Sequence, residues 1–173
     1  YKDKARSKRA TNKEIIDTII ENLYIKYPRE KQHSIMVSEL SARLGRALKL
    51  SKGEINKLKR LAYLHHIGKI SLNGINSPEK AKEKLHQHPS IGYRILSLFD
   101  DTIDLADYVH RHHERWDGKG YPSGLQGEEI PLLSRIILIV ETYEHMLNRE
   151  DVPLAKRKDF AISVIKEGAG KEF

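Results

Sequence analysis

Apolar residues recur along this chain at the spacing of helices rather than of strands. From Asn12 to Tyr27, the positions Ile15, Ile16, Ile19, Ile20, Leu23 and Ile25 fall near one face, which predicts a first helix closed by Pro28. Val37, Leu40, Leu44, Ala47 and Leu48 predict the inner stripe of a second helix over residues 30–50. Ser51 followed three residues later by Glu54 has the spacing of a reciprocal N-cap, so a third helix starts there. Its stripe, Ile55, Leu58, Leu61, Ala62 and Leu64, runs into the pair His65–His66 and ends before Gly68. SLNGINSPEK, residues 71–80, predicts a loop. A helical stretch then reaches His86 and His88, and Pro89 suits the first turn of a further helix continued by IGYRILSLF. TIDLADYVHRHHERW predicts another helix, LLSRIILIVETYEHML is the most apolar and the natural central one, and KRKDFAISVIKEG completes the series. No stretch alternates as a strand would, so the expected fold class is all-α, a helical bundle.

One segment breaks the pattern. WDGKGYPSGLQGEEIP carries four glycines and two prolines in sixteen residues, together with Trp116, Tyr121 and Leu125. Side chains of that size must pack somewhere, so an ordered loop is expected rather than a floppy linker.

Composition narrows the chemistry. A hydrophobic fraction of 39% over 173 residues suits one domain, read as residues 12–173, after a basic linker at 1–11 entering from an upstream segment. With no cysteine, any metal must be held by nitrogen and oxygen. No run of 18 apolar residues and no signal-like segment occurs, so membrane contact is not expected and a cytoplasmic location is the default. The net charge of +7 suits a phosphorylated partner, but the basic tracts KDKARSKR and AKRKDF lack interleaved aromatics, so DNA is not an expected ligand.

The placement of the nine histidines is more informative than their number. His33 falls near a helix start, His65 and His66 near a helix end, His88 by a helix start, and His112 with His113 near another end. Glu141 lies inside the apolar stretch ILIVETYEHM, where an unpaired carboxylate is costly to bury. Histidines from several helices and one inward carboxylate at one end of a bundle are what a divalent metal centre requires. His86, His110 and His145 are read as surface or supporting groups, and Lys69 as an ammonium close to the centre, able to orient a phosphate or a water.

His33-Ser34, HHIGK (65–69), HPSIGYRIL (88–96), HHERWDGKGYPSGLQGEEIP (112–131) and Arg135-Ile136-Ile137 together resemble the HD-GYP branch of the HD phosphohydrolase superfamily. The resemblance spans nearly the whole chain. It implies a helical domain that holds ions such as iron or manganese and hydrolyses a cyclic dinucleotide, cyclic di-GMP or a related phosphodiester, behind an upstream sensory or receiver domain. Position by position it implies His33, His65, His88, His112 and His113 as metal ligands, with His66 and Glu141 at the two carboxylate-ligand positions, Lys69 and the His66 position as catalytic groups, and Gly120, Tyr121 and Pro122 as a loop for substrate or a signalling partner, to which Arg149 is added as a stand-in for the family's arginine tract. Two ligand positions depart from the pattern: His66 stands where the family has the aspartate of HD, and Glu141 where it has its last aspartate. An imidazole brings one lone pair and no negative charge, so one divalent ion or two remain open. The segment between Lys69 and His88 is short, and NREDVPLAK replaces an arginine-rich tract, which together imply weaker hold on the dinucleotide. Two classes of function follow: a metal-dependent phosphodiesterase, or a degenerate signalling module that keeps the fold and works by protein contact.

Overall fold

The computed structural model describes residues 2–72 and 78–173, and among these the only β pairing is one isolated bridge between Asp117 and Gln126. The first helix, α1 (Lys2–Lys26), passes unbroken through the predicted start at Asn12, because nothing from Lys2 to Thr11 is glycine or proline. Pro28 ends α1 and also opens α2 (Pro28–Ala47), since proline in a first turn gives up only an amide that has no partner there. The cap of α3 (Lys52–Leu64) is as the spacing predicts: the Glu54 amide donates to Ser51 Oγ at 3.2 Å and the Ser51 amide to the Glu54 carboxylate at 2.8 Å. A 3-10 turn (Ile67–Ser71) follows, then α4 (Pro78–Ser97), α5 (Ile103–His110), α6 (Leu132–Leu147) and α7 (Arg157–Gly168).

Four expectations change. Pro89 does not open a helix; it sits inside α4, which is continuous from Pro78 to Ser97. Gly68 does not stop the chain but lies in the 3-10 turn, where a Cβ would strike the carbonyl of His88, so its role is close approach to α4. Helix α5 ends at His110, leaving His112 and His113 in the turn beyond it. On α2 the buried face is Ser34, Val37, Ser41, Ala42 and Gly45, with Leu40 and Leu44 partly covered and Leu48 half exposed. The predicted loop at 71–80 falls largely on residues 73–77, outside the described residues.

The core is one cluster that joins Ile16, Ile20 and Leu23 of α1 to Leu58 and Leu61 of α3, Leu96 of α4, Leu105 and Val109 of α5, and Ile136, Ile137 and Val140 of α6. Helix α6 packs against α2, α5 and α7, the central place its apolar sequence predicts. Residues 111–131 are ordered by a buried charge. The Glu114 carboxylate, only 1% exposed, accepts the amides of Ser123 (2.6 Å) and Leu125 (3.0 Å), and Gly120 lies flat on the backbone of Glu114 and Arg115. The base of the loop is tied to the C-terminal residues: the Trp116 and Asp117 amides donate to the carbonyls of Glu172 and Lys171, and Arg115 pairs with Glu172.

Candidate metal centre

Three imidazoles are fixed by the same device. His65 Nδ1 donates to the Ala62 carbonyl (2.6 Å), His88 Nδ1 to that of Leu85 (2.5 Å) and His112 Nδ1 to that of Val109 (2.5 Å), each three residues back. The carbonyls of Ala62 and Val109 lie in the last turns of α3 and α5, where helical partners run out. Leu85 is mid-helix, but its carbonyl would normally receive the amide of residue 89, and Pro89 has none. The proline therefore creates a helix-end carbonyl inside a helix, and His88 takes it. In all three rings the proton is held at Nδ1, which leaves the Nε2 lone pair as the free donor.

Those lone pairs meet. His88 Nε2 lies 3.2 Å from His112 Nε2, and His33 Nε2 lies 3.3 Å from His65 Nε2. Burial first, and neighbouring imidazoles next, push the His88 pKa down to about 2 and hold His112 well below its usual value. Two unprotonated nitrogens cannot hydrogen-bond each other, so this close approach is unfavourable without a cation between them. The separations suit one: donors about 2.0–2.1 Å from a zinc-like ion lie roughly 3.0 Å apart at octahedral and 3.3 Å at tetrahedral angles. Donor atoms within 4.8 Å of one another form two groups, His66, His88, His112 and His113, and His33, His65, His66 and Glu141. Burial likewise lowers His65 well below the ordinary value and His113 to about 4, so these rings are neutral at neutral pH, each with one nitrogen left free as a donor. Burial opposes ionisation of Glu141, yet the contact with His66 and the surrounding imidazoles outweighs it and holds the Glu141 pKa well below the usual carboxylate value; its Oε2 is buried without a hydrogen-bond partner among the described residues. The donor set thus fits a divalent ion of borderline hardness.

Sequence reasoning missed two carboxylates here. Glu30, one helical turn before His33 on α2, lies 2.8 Å from His66 Nδ1 and accepts the Lys69 ammonium at 2.8 Å. His66 Nε2 is 3.0 Å from Glu141, so His66 is gripped between two acids with only one nitrogen facing the centre. Glu144, 6% exposed and three residues after Glu141, bonds His33 Nδ1 at 2.9 Å and is itself held by Asn148 Nδ2 at 2.7 Å. Burial opposes charge on His33, but Glu144, Glu141 and Glu30 together raise its pKa. The available signal was helical spacing: each missed acid is three residues from a candidate ligand.

The remaining predicted residues divide. Lys69 is mostly covered and joins the centre through Glu30. Tyr121 stacks on His113 with centroids 4.9 Å apart, which brings the Gly120-Tyr121-Pro122 loop to the site. Arg149 is instead engaged by Asp151, with Nε at 2.8 Å from its carboxylate, and its guanidinium lies over Phe160. His110 bonds Ser90, His145 is exposed, and His86 stacks on the outer face of Tyr121.

Comparison with known proteins follows the same lines. A family model described as HD domain matches residues 17–173. A cyclic di-GMP phosphodiesterase of Thermotoga maritima is 34% identical over 149 residues, covering 81% of this chain and 40% of that protein. A 3'3'-cGAMP-specific phosphodiesterase 3 of Vibrio cholerae is 30% identical, covering 82% of this chain and 32% of its own length. The chain thus spans about two fifths or less of these curated relatives. A crystal structure of a cyclic GMP-AMP-specific phosphodiesterase from V. cholerae shares the fold with a TM-score of 0.64 at 20% identity, over 82% of this chain and 40% of the other. With the all-α architecture and an altered His/His and glutamate cluster in the expected place, the chain belongs to the HD domain family and is related to its HD-GYP enzymes.

Proposed function

We propose that this domain is a metal-dependent phosphodiesterase of the HD-GYP type whose substrate is a cyclic dinucleotide, cyclic di-GMP or the mixed guanine–adenine form, and that in a longer protein it would act as the output of a signalling chain. The observation that carries this reading is the pair of proton-free Nε2 atoms of His88 and His112 at 3.2 Å, which calls for a cation at that point. His33, His65, His66, His88, His112, His113 and Glu141 would hold one or two divalent ions, iron, manganese or similar. A bound ion there supplies Lewis-acid charge to a phosphoryl oxygen and lowers the pKa of a coordinated water. Lys69 is fixed by Glu30 beside His66, where its ammonium adds positive charge for a phosphate oxygen. Tyr121, stacked on His113, would wall one side of the site.

A second reading, a signalling module that binds metal without turnover, is favoured by two observations. His66 replaces a carboxylate and offers the centre one nitrogen, and Arg149 is committed to Asp151 rather than left for a phosphate. Protein loaded anaerobically with Mn²⁺ or Fe²⁺ and offered cyclic di-GMP, 3'3'-cyclic GMP-AMP and bis(p-nitrophenyl) phosphate separates the two. Chelator-sensitive cleavage, slow on the dinucleotides, is expected. Metal bound at one or more ions per chain with no cleavage of any substrate would reject the enzyme in favour of the contact module.

A further inference from the structure

His86 lies parallel to Tyr121, with ring centroids 4.3 Å apart and planes 6° from coplanar, and Tyr121 lies in turn on the candidate ligand His113. The three rings form a ladder from the metal centre to the surface. Tyr121 is half-buried and stacked by both imidazoles, whereas His86 is exposed, and since one of its faces is taken by Tyr121 the opposite face is the one left to a ligand. A second histidine–tyrosine pair away from the centre differs: His110 sits 37° from Tyr93 and bonds Ser90. None of the chemistry above uses His86.

A flat π-face two ring steps from a phosphodiester-binding centre matches what a nucleotide carries beside its phosphate, a nucleobase. Every base can stack, and a neutral or charged imidazole accepts one without reading its edges. We propose that the outer face of His86 is the platform for one nucleobase of the bound cyclic dinucleotide, an inference that rests on the substrate reading above. Because stacking carries no hydrogen-bond code, the platform supports guanine and adenine alike and leaves their discrimination to other groups.

The test uses metal-loaded protein and a hydrolysis-resistant phosphorothioate analogue of cyclic di-GMP, so binding is read whether or not the domain turns over. His86→Leu still covers Tyr121 but offers no ring, and His86→Phe restores one. Calorimetric affinity for the analogue should fall about tenfold in His86→Leu and return to within about twofold of wild type in His86→Phe. Metal content and affinity for inorganic phosphate should be equal in all three proteins. Equal analogue affinity in wild type and His86→Leu, or failure of His86→Phe to restore it, overturns the platform. So does loss of metal in His86→Leu, which would make the ring a structural prop. A wild type that binds no dinucleotide analogue removes the substrate reading itself, a different result from binding that ignores His86.

Discussion

A carboxylate offers two oxygens and a negative charge to a pair of ions, whereas an imidazole whose other nitrogen is occupied offers one lone pair to one ion. His66 is in the second situation, with Nδ1 on Glu30 and Nε2 toward Glu141. His66→Asp is therefore expected to raise metal content by up to one further ion per chain, with a gain in phosphodiesterase rate, both measured on refilled protein of unchanged circular dichroism. No added metal and no added rate would mean that His66 is not what limits the centre. Glu144 acts one step back. It orients His33 through a single bond, so Glu144→Gln should weaken metal binding about 10- to 100-fold in competition with a chromophoric chelator, while the helical content stays as it was. If the loss is instead equal to that of His33→Ala, Glu144 is holding the helix rather than the ring.

Pro89 shows how an element can be shaped for the benefit of one side chain. A proline in a helix interior costs about 3 kcal/mol, yet here it frees the Leu85 carbonyl that fixes His88. Pro89→Ala would supply an amide that competes for this carbonyl. The expected result is a chain at least as stable to urea but several-fold weaker in metal affinity, and a variant weaker in both would refute the trade. The sequence pattern could reveal that a helix lies on either side of Pro89, but not that the two are one, because continuity depends on His88 replacing the missing bond. The same limit hid Glu30 and Glu144: helical spacing brings them near His33 and Glu141, while the contacts that make them matter come from other helices. That His65, His66, His112, His113 and Glu141 come together was legible because histidine doublets at helix ends and an acid in an apolar helix are locally unusual, whereas the single His33 and His88 were drawn in by the family resemblance. The loop after His113 was legible as ordered, though the buried Glu114 that pins it was not.

At the scale of the molecule, the domain keeps several histidines buried and uncharged. His65, His88, His112 and His113 all have depressed pKa values, chiefly from burial, so the unfolded chain binds protons there that the fold refuses. Metal-free protein should lose stability as pH falls below about 6.5, the ordinary histidine value, by up to roughly 1.4 kcal/mol per pH unit for each such ring. His33, whose pKa is raised, works in the opposite sense: it favours the fold at low pH and loses that contribution as pH rises through its folded value. His110, also lowered by burial, adds to the first group, and five rings against one leave a net loss. Urea midpoints at pH 7.5 and 5.5 in the presence of a chelator test this, and equal midpoints would contradict the burial of neutral rings.

The three bonds from imidazole Nδ1 to a carbonyl three residues back also bear on time. They are local in the chain, so the rings of His65, His88 and His112 are oriented as soon as their own helical turns form. Any ion that binds at these rings would meet donors already oriented for it. Loosening an anchor would lower the fraction of molecules ready to bind, an effect expected in the rate of capture rather than of escape.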